Sequence, residues 1–325
     1  MKSPKHFLVA AALLCAGGLL PLAAWSQAYP TKPIRLVVPF GAGGVADLTA
    51  RTVAQKMGET LGQSIIIDNK PGAGGVVAGD AVAKAKPDGY TLLLVSNGTA
   101  VSAGLFKSLP FDTAKDFSPI STLGFFDIAV VVPDNSRFKT LPELLAFAKA
   151  NPGKLNVGTV NVGSTQNLAA ELLKSSAGVD IQVVPFNGTP AVITAMRGNQ
   201  IDAAVEILSP LVPQIQSKSL RALAVMGDKR PTTLPDVPTV AESGLKGFNA
   251  TSWNALAAPA GTPKDVVDRL HRAAQTALET PEVKKRLQEM HIEARASTPG
   301  QMGQLLNSEI KRWGDVITRA NIPRQ

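Results

Sequence analysis

The chain has 325 residues, 45% of them apolar and 18% charged, with a net charge of +8, which suits one or two folded domains and excludes disordered, collagen-like and coiled-coil classes. Aromatic residues make up only 5%, while 28 glycines and 24 prolines point to many short elements joined by tight turns rather than to a long helical bundle. Basic residues are scattered, and the densest groups, Lys284-Lys285-Arg286 and Lys229-Arg230, lack the interleaved aromatics that single-strand binding needs, so no nucleic-acid partner is expected.

In chain order, the first 28 residues read as an export signal: Lys2 and Lys5, an apolar run over residues 7–20, then Pro21 and the small-residue site Ser26-Gln27-Ala28. Gly17, Gly18 and Pro21 interrupt a stretch near the minimum of about 17 residues for crossing a bilayer. Cleavage after Ala28 and a periplasmic destination are therefore expected over retention as an anchor. Leu14 stands before Cys15, where lipid-attachment signals usually place a small residue. Cys15 is the single cysteine, and its removal takes disulfides, thiol catalysis and thiolate metal sites out of the mature chain.

From Tyr29 onward, β-branched or aliphatic runs at residues 34–38, 64–67, 91–95, 128–132, 155–159, 182–184, 203–206 and 220–225 alternate with helical patterns such as 47–61, 141–150, 167–176 and 190–197. The alternation predicts an α/β fold with mostly parallel sheets flanked by helices. Residues 230–263 read as a proline-rich irregular stretch, followed by amphipathic helices over 264–279, 281–290 and 299–320. Val37-Val38-Pro39-Phe40-Gly41 recurs as Val183-Val184-Pro185-Phe186-Asn187-Gly188. The echo implies two similar lobes whose strand ends face each other across a cleft, the place where α/β sheets bind ligands. Crossings near residues 126–128 and 251–253 divide the chain into one lobe of 29–128 with 253–325 and another of 129–252.

Chemistry concentrates in two glycine loops, Gly41-Ala42-Gly43-Gly44-Val45 and Gly72-Ala73-Gly74-Gly75-Val76, each between a strand and a helix. Asn161-Val162-Gly163-Ser164-Thr165-Gln166 and Asn187-Gly188-Thr189 are further candidates. Such loops let backbone approach a ligand, and the free N–H groups of the following helix favour a carboxylate or phosphate; each also reads simply as a tight turn. Gly41-x-Gly43-x-x-Ala46 with Asp68 fits a dinucleotide fingerprint, making an oxidoreductase the alternative. Pro39 and Phe40 lie where the fingerprint runs directly from strand into turn, and export would remove the chain from nicotinamide pools. His271 and His291 lie in C-terminal helical sequence, and no His-x-x-x-His pair or calcium loop occurs, so neither a metal nor a cofactor is expected. Asp47, Asp202 and Glu206 are the carboxylates nearest the predicted cleft. Asp47 reads equally as a helix cap, and the other two as ordinary strand-end residues.

Tyr29-Pro-Thr-Lys-Pro-Ile-Arg-Leu-Val-Val-Pro-Phe-Gly-Ala-Gly-Gly-Val-Ala-Asp47 resembles the mature start of Bug-type receptors, the solute-binding proteins of tripartite tricarboxylate transporters. Asn69-Lys-Pro-Gly-Ala-Gly-Gly75, Pro87-Asp-Gly-Tyr-Thr-Leu-Leu93, Val184-Pro-Phe-Asn-Gly188, Arg221-Ala-Leu-Ala-Val225, Leu234-Pro-Asp-Val-Pro-Thr-Val240, Trp253 and Ala258-Pro-Ala-Gly-Thr-Pro263 extend the resemblance over nearly the whole mature chain. It implies a monomeric two-lobed extracytoplasmic receptor, not an enzyme, that closes over a small organic acid and delivers it to a membrane permease. Ligand contacts would fall on Phe40, Ala42, Gly43, Gly44 and Asp47, and in the second lobe on Gly163, Ser164, Thr165, Asn167, Asn187 and Asp202. Gly74, Gly75, Ser96 and Thr99 complete the candidate set. Asn167 stands where many relatives have histidine, and Phe186-Asn187 replaces a frequent Tyr-Lys.

Overall fold

The computed structural model describes residues 29–325; the expected export signal and Cys15 lie outside the described residues. Aliphatic runs become buried strands and amphipathic stretches become covering helices, in the order β1 (Ile34–Val38), α1 (Val45–Leu61), β2 (Ile65–Asn69), α2 (Val76–Ala83), β3 (Thr91–Ser96), α3 (Asn97–Leu105) and β4 (Phe117–Phe126). There follow β5 (Ile128–Pro133), α4 (Leu141–Ala150), β6 (Asn156–Val160), α5 (Thr165–Ala177), β7 (Gln182–Phe186), α6 (Thr189–Arg197), β8 (Ala203–Ile207), α7 (Val212–Gln216) and β9 (Leu220–Val225). The chain closes with β10 (Ser252–Pro259), α8 (Lys264–Glu279), α9 (Pro281–Glu289), β11 (Glu293–Ala294) and α10 (Pro299–Arg319).

Two sheets result, one ordered β11-β4-β10-β3-β1-β2 and the other β7-β6-β8-β5-β9. Each contains the same parallel unit: β2-β1-β3 in the first, built by β1-α1-β2-α2-β3, and β7-β6-β8 in the second, built by β6-α5-β7-α6-β8. Antiparallel strands extend both, since β10 runs against β3 and β4, and β5 against β8 and β9. The sheets are thus mixed rather than mostly parallel. The chain leaves the first sheet at Asp127, between β4 and β5, and re-enters at Ser252.

β4 and β10 depart from the sequence expectation. Serines, Pro119 and Gly124 break up the aliphatic signal of β4, and β10 lies inside the stretch read as irregular; yet all eight β10 residues are buried, because neighbours pair with it on both sides. Its Trp253 and the Trp313 of α10 are among the largest fully buried side chains. Burial of such aliphatic and aromatic groups is the main stabilising term, about 1.5–3 kcal/mol for a Leu or Phe. Helix α8 covers this sheet with Val266, Leu270, Ala273, Ala274 and Ala277, the i, i+4, i+7 stripe of a surface helix. One apolar cluster runs through both sheets' helices, joining Val101 and Leu105 of α3 and Trp313 and Ile317 of α10 to Leu168 and Leu173 of α5.

The Val-Val-Pro-Phe echo does not mark topologically equivalent strands. Pro39 follows the central strand β1, whereas Pro185 lies inside β7, which pairs with β6 alone, a position where a residue without an N–H is tolerated. The counterpart of β1 is β6.

Candidate functional site

In an open α/β sheet the crevice opens beyond the carboxyl ends of strands, where connections leave in opposite directions. Here those points lie between β1 and β3 in one sheet and between β6 and β8 in the other, and the loops leaving β1 and β6 are built alike.

In the first, Gly43 takes φ +83°, a left-handed conformation that side chains resist, and its N–H donates to Asp47 Oδ2 at 2.8 Å. In the second, Gly163 takes φ +78° and its N–H donates to Asn167 Oδ1 at 3.2 Å. Each helix thus folds its third residue back onto a glycine four positions earlier. Gly163 is further constrained, because a Cβ there would clash with Leu105 Cδ2 on α3.

The two loops differ in their free donors. Gly44 begins α1 without a side-chain cap, and among the described residues the N–H groups of Gly44, Val45, Ala46 and Asp47 find no acceptor. Ser164 caps α5 by accepting from the Asn167 N–H at 3.1 Å, and its own N–H donates to the Asn161 carbonyl. Thr165 and Gln166 alone keep free amides in that turn. Unpaired amides at a helix start, with the positive end of the helix dipole, constitute an anion-binding arrangement.

Asp47 is almost fully buried. Burial pushes its pKa up, but hydrogen bonds from Arg51 Nε (2.9 Å), the Gly43 N–H and Asn69 Nδ2 (2.9 Å) outweigh that and hold the carboxyl below its usual range. With every strong partner internal, the carboxylate acts as a brace for the loop, and Arg51 offsets its charge. Asn69 also donates to the Phe40 carbonyl at 2.9 Å, tying the end of β2 to the first loop.

The second glycine loop and α3 meet the first loop at Phe40. A Cβ on Gly98 would lie 3.9 Å from the Gly74 carbonyl and 4.0 Å from Phe40 Cζ. The Gly74 carbonyl accepts from Ser102 Oγ at 2.8 Å, and Gly75 takes φ +94° against Pro39. Ser96 ends β3 as the N-cap of α3, and its N–H donates to Thr99 Oγ1 at 3.2 Å. Phe40 and Val162 are two of the few large apolar side chains left exposed, at 38% and 47%, one in each loop. Ala42 is exposed beside Gly43, and Asn187 is exposed before α6.

The structure therefore brings together Phe40, Ala42, Gly43, Gly44, Asp47, Gly74, Gly75, Ser96 and Thr99 in one sheet's crevice, and Gly163, Ser164, Thr165, Asn167 and Asn187 in the other's. Asp202 is not among them. It precedes β8, and its Oδ2 accepts from the N–H of Asn156 at the start of β6, 2.9 Å away, so it sits at the amino end of the parallel strands, opposite the end that carries the loops. Glu206, near the carboxyl end of β8, is the acid beside the crevice. Asp68 is engaged by Arg35 at 3.5 Å and Lys70 at 3.8 Å. His291 lines a separate groove of about 380 Å³ at the crossovers, with Asp127, Asp228, Lys229 and Glu293. Among the described residues no cluster of His, Cys, Asp or Glu is disposed to hold a metal ion.

Two lobes of mixed sheet, each with a glycine loop and a helix start at the carboxyl ends of its parallel strands, have the build of a solute-binding protein. The family model described as the tripartite tricarboxylate transporter family receptor matches residues 49–322. BugT of Bordetella pertussis is 34% identical over 304 residues, covering 93% of each chain. Among solved structures, an R. palustris protein with adipate is 31% identical with a TM-score of 0.81, covering 91% of this chain and 99% of that one. MatC of Rhodopseudomonas palustris, with bound malate, is 34% identical with a TM-score of 0.78, covering 89% and 100%. The chain belongs to the tripartite tricarboxylate transporter receptor family. The dinucleotide alternative finds no support in these likenesses.

Proposed function

We propose that the protein is exported to the periplasm, captures one small carboxylate between its two lobes, and presents it to the membrane permease of a tripartite transporter, without chemical turnover. The observation that carries this reading is the row of four uncapped amides at the start of α1, with a second loop of the same build after β6 in the other lobe. A single exposed helix start contributes only about 0.3–1 kcal/mol toward an anion, and up to about 2 when partly buried. Useful affinity therefore requires several donors converging in a crevice that closes and excludes water, where charge-assisted hydrogen bonds strengthen. The relatives solved with adipate and malate support a carboxylate as the solute class.

The chain crosses between the sheets at Asp127, the one residue between β4 and β5, and again at Thr251, the end of the 226–251 segment that leads from β9 to β10; both crossings are able to act as hinges. A closed form populated at about 1% reaches 99% if the solute prefers it by roughly 10⁴-fold. Thermal-shift screening of organic acids, amino acids and nicotinamide cofactors tests the reading. Stabilisation by at least one carboxylate at one-to-one stoichiometry is expected; stabilisation by NADH and by no carboxylate would overturn it.

A further inference from the structure

The penultimate residues of the third strand in the two parallel units are Val95 in β3 and Glu206 in β8, both 0% exposed. The fold thus accommodates a hydrocarbon at this place in one lobe and a carboxylate in the other. A buried carboxylate costs free energy unless it is well bonded. Burial pushes the pKa of Glu206 up, against the hydrogen bonds that favour its charge. Oε1 accepts from Gln166 Nε2 and from the Ile207 N–H, each at 2.7 Å. Oε2 is buried with no hydrogen-bond partner, near the Thr189 hydroxyl. Gln166 lies in the first turn of α5 and Thr189 opens α6, so Glu206 sits beneath both helix starts at the point where the chain's connections diverge.

This arrangement fixes the direction of an amide. Oε1 accepts from the Ile207 N–H and, carrying no proton of its own, takes the NH₂ end of Gln166. That holds whether the acid is ionised or carries a proton on Oε2. The carbonyl end of Gln166 is then turned away from Glu206 and, in a side chain only 7% exposed, accepts no hydrogen bond among the described residues. The α1 amides across the crevice are donors, suited to a carboxylate; Gln166 offers an acceptor. We propose that Gln166, oriented by the buried carboxylate of Glu206, selects acids that carry a hydroxyl or ammonium donor beside the carboxylate over their unsubstituted counterparts. Gln166 is the specificity-determining residue and Glu206 a positioning residue acting through it. The inference rests on the carboxylate-receptor reading above.

The test is calorimetry on the mature protein with matched probes, malate and aspartate against succinate, for wild type, Gln166→Leu, Glu206→Gln and Glu206→Val. Leu removes the acceptor with little change in volume, and Val95 is the precedent for Val at 206. The wild type should bind malate or aspartate at least about tenfold tighter than succinate, and the ratio should fall below about threefold in Gln166→Leu and Glu206→Val. A site that rejects a missing polar partner discriminates by this much or more. A purely structural role for Glu206 would weaken all three acids equally and leave the ratio unchanged, overturning the proposal. Succinate binding as tightly as malate and aspartate in wild type would also overturn it. No binding of any of the three, with none found in a wider carboxylate screen, would instead defeat the receptor reading beneath it.

Discussion

The loops that leave β1 and β6, one in each lobe, share a backbone plan but divide the work. Gly43 with Asp47 and Gly163 with Asn167 fold the helix start the same way, yet α1 is left uncapped while Ser164 caps α5. An N-cap side chain stabilises a helix by occupying one of its free donors; leaving it out keeps that donor for something else. The brace differs too, a charged and threefold-bonded Asp47 against a neutral Asn167. The first lobe forgoes local stability to hold a donor-rich cradle, and the second is stiffened locally and shaped to discriminate.

The largest effect that would break this comparison is on affinity. Gly44 has φ −78° and ψ 168°, and a Cβ there meets nothing closer than the Gly41 carbonyl at 3.8 Å, so the backbone accepts a side chain without strain. Gly44→Val should fold normally by circular dichroism and melting temperature while losing more than about 100-fold in carboxylate affinity by calorimetry, because its methyls fill the space above the α1 amides. Unchanged affinity would reduce the loop to a turn.

Next in size is a pH effect at the crossover between the lobes. Burial, then the nearby charges of Asp228 and Glu293, raise the Asp127 pKa to about 6. An acid raised above its unfolded value of about 3.9 destabilises the fold when ionised, so the penalty grows between pH 4 and 6 and is complete above it. Asp127→Asn should therefore add on the order of 2 kcal/mol at pH 7.5 and nearly nothing at pH 4, measured by urea denaturation at the two pH values. An equal effect at both would contradict the assignment to ionisation.

Effects of this size and below sharpen the comparison itself. Asp47→Ala leaves the Gly43 N–H, Arg51 and Asn69 without their shared acceptor and should cost about 2 kcal/mol, against about 1 for Asn167→Ala, both read from denaturant midpoints. Ser164→Ala should cost about 1 kcal/mol of stability. Gly44→Ser should do the reverse in the other lobe, adding a few tenths of a kcal/mol while lowering carboxylate affinity, since the new hydroxyl competes for an α1 amide.

Most of this architecture is written in local pattern. The runs 34–38 and 220–225 and the helices 141–150 and 264–279 coincide with β1, β9, α4 and α8, because periodicity there agrees with burial. β4 and β10 escape because their strand character comes from two-sided pairing rather than from composition, and α2 and α3 because Gly79, Gly98 and Gly104 weaken a helical signal that packing restores. The glycine loops are legible since positive φ and close approach demand glycine. Asp202 misleads because it neighbours Glu206 in sequence, yet the five-residue strand β8 carries the two to opposite ends of the sheet's strands. Gln166 has no signal of its own; its role exists only once β8 places Glu206 beneath it.

The most direct measurement is a crystal structure of the mature protein with the most stabilising carboxylate from the thermal screen. One carboxylate group should lie within about 2.7–3.1 Å of two or more N–H groups from Gly44 to Asp47, with the Gly163 loop closed over the same molecule. An acid bound at full occupancy in the groove at the crossovers, or held by one lobe with the α1 amides left in water, would contradict capture between the two loops.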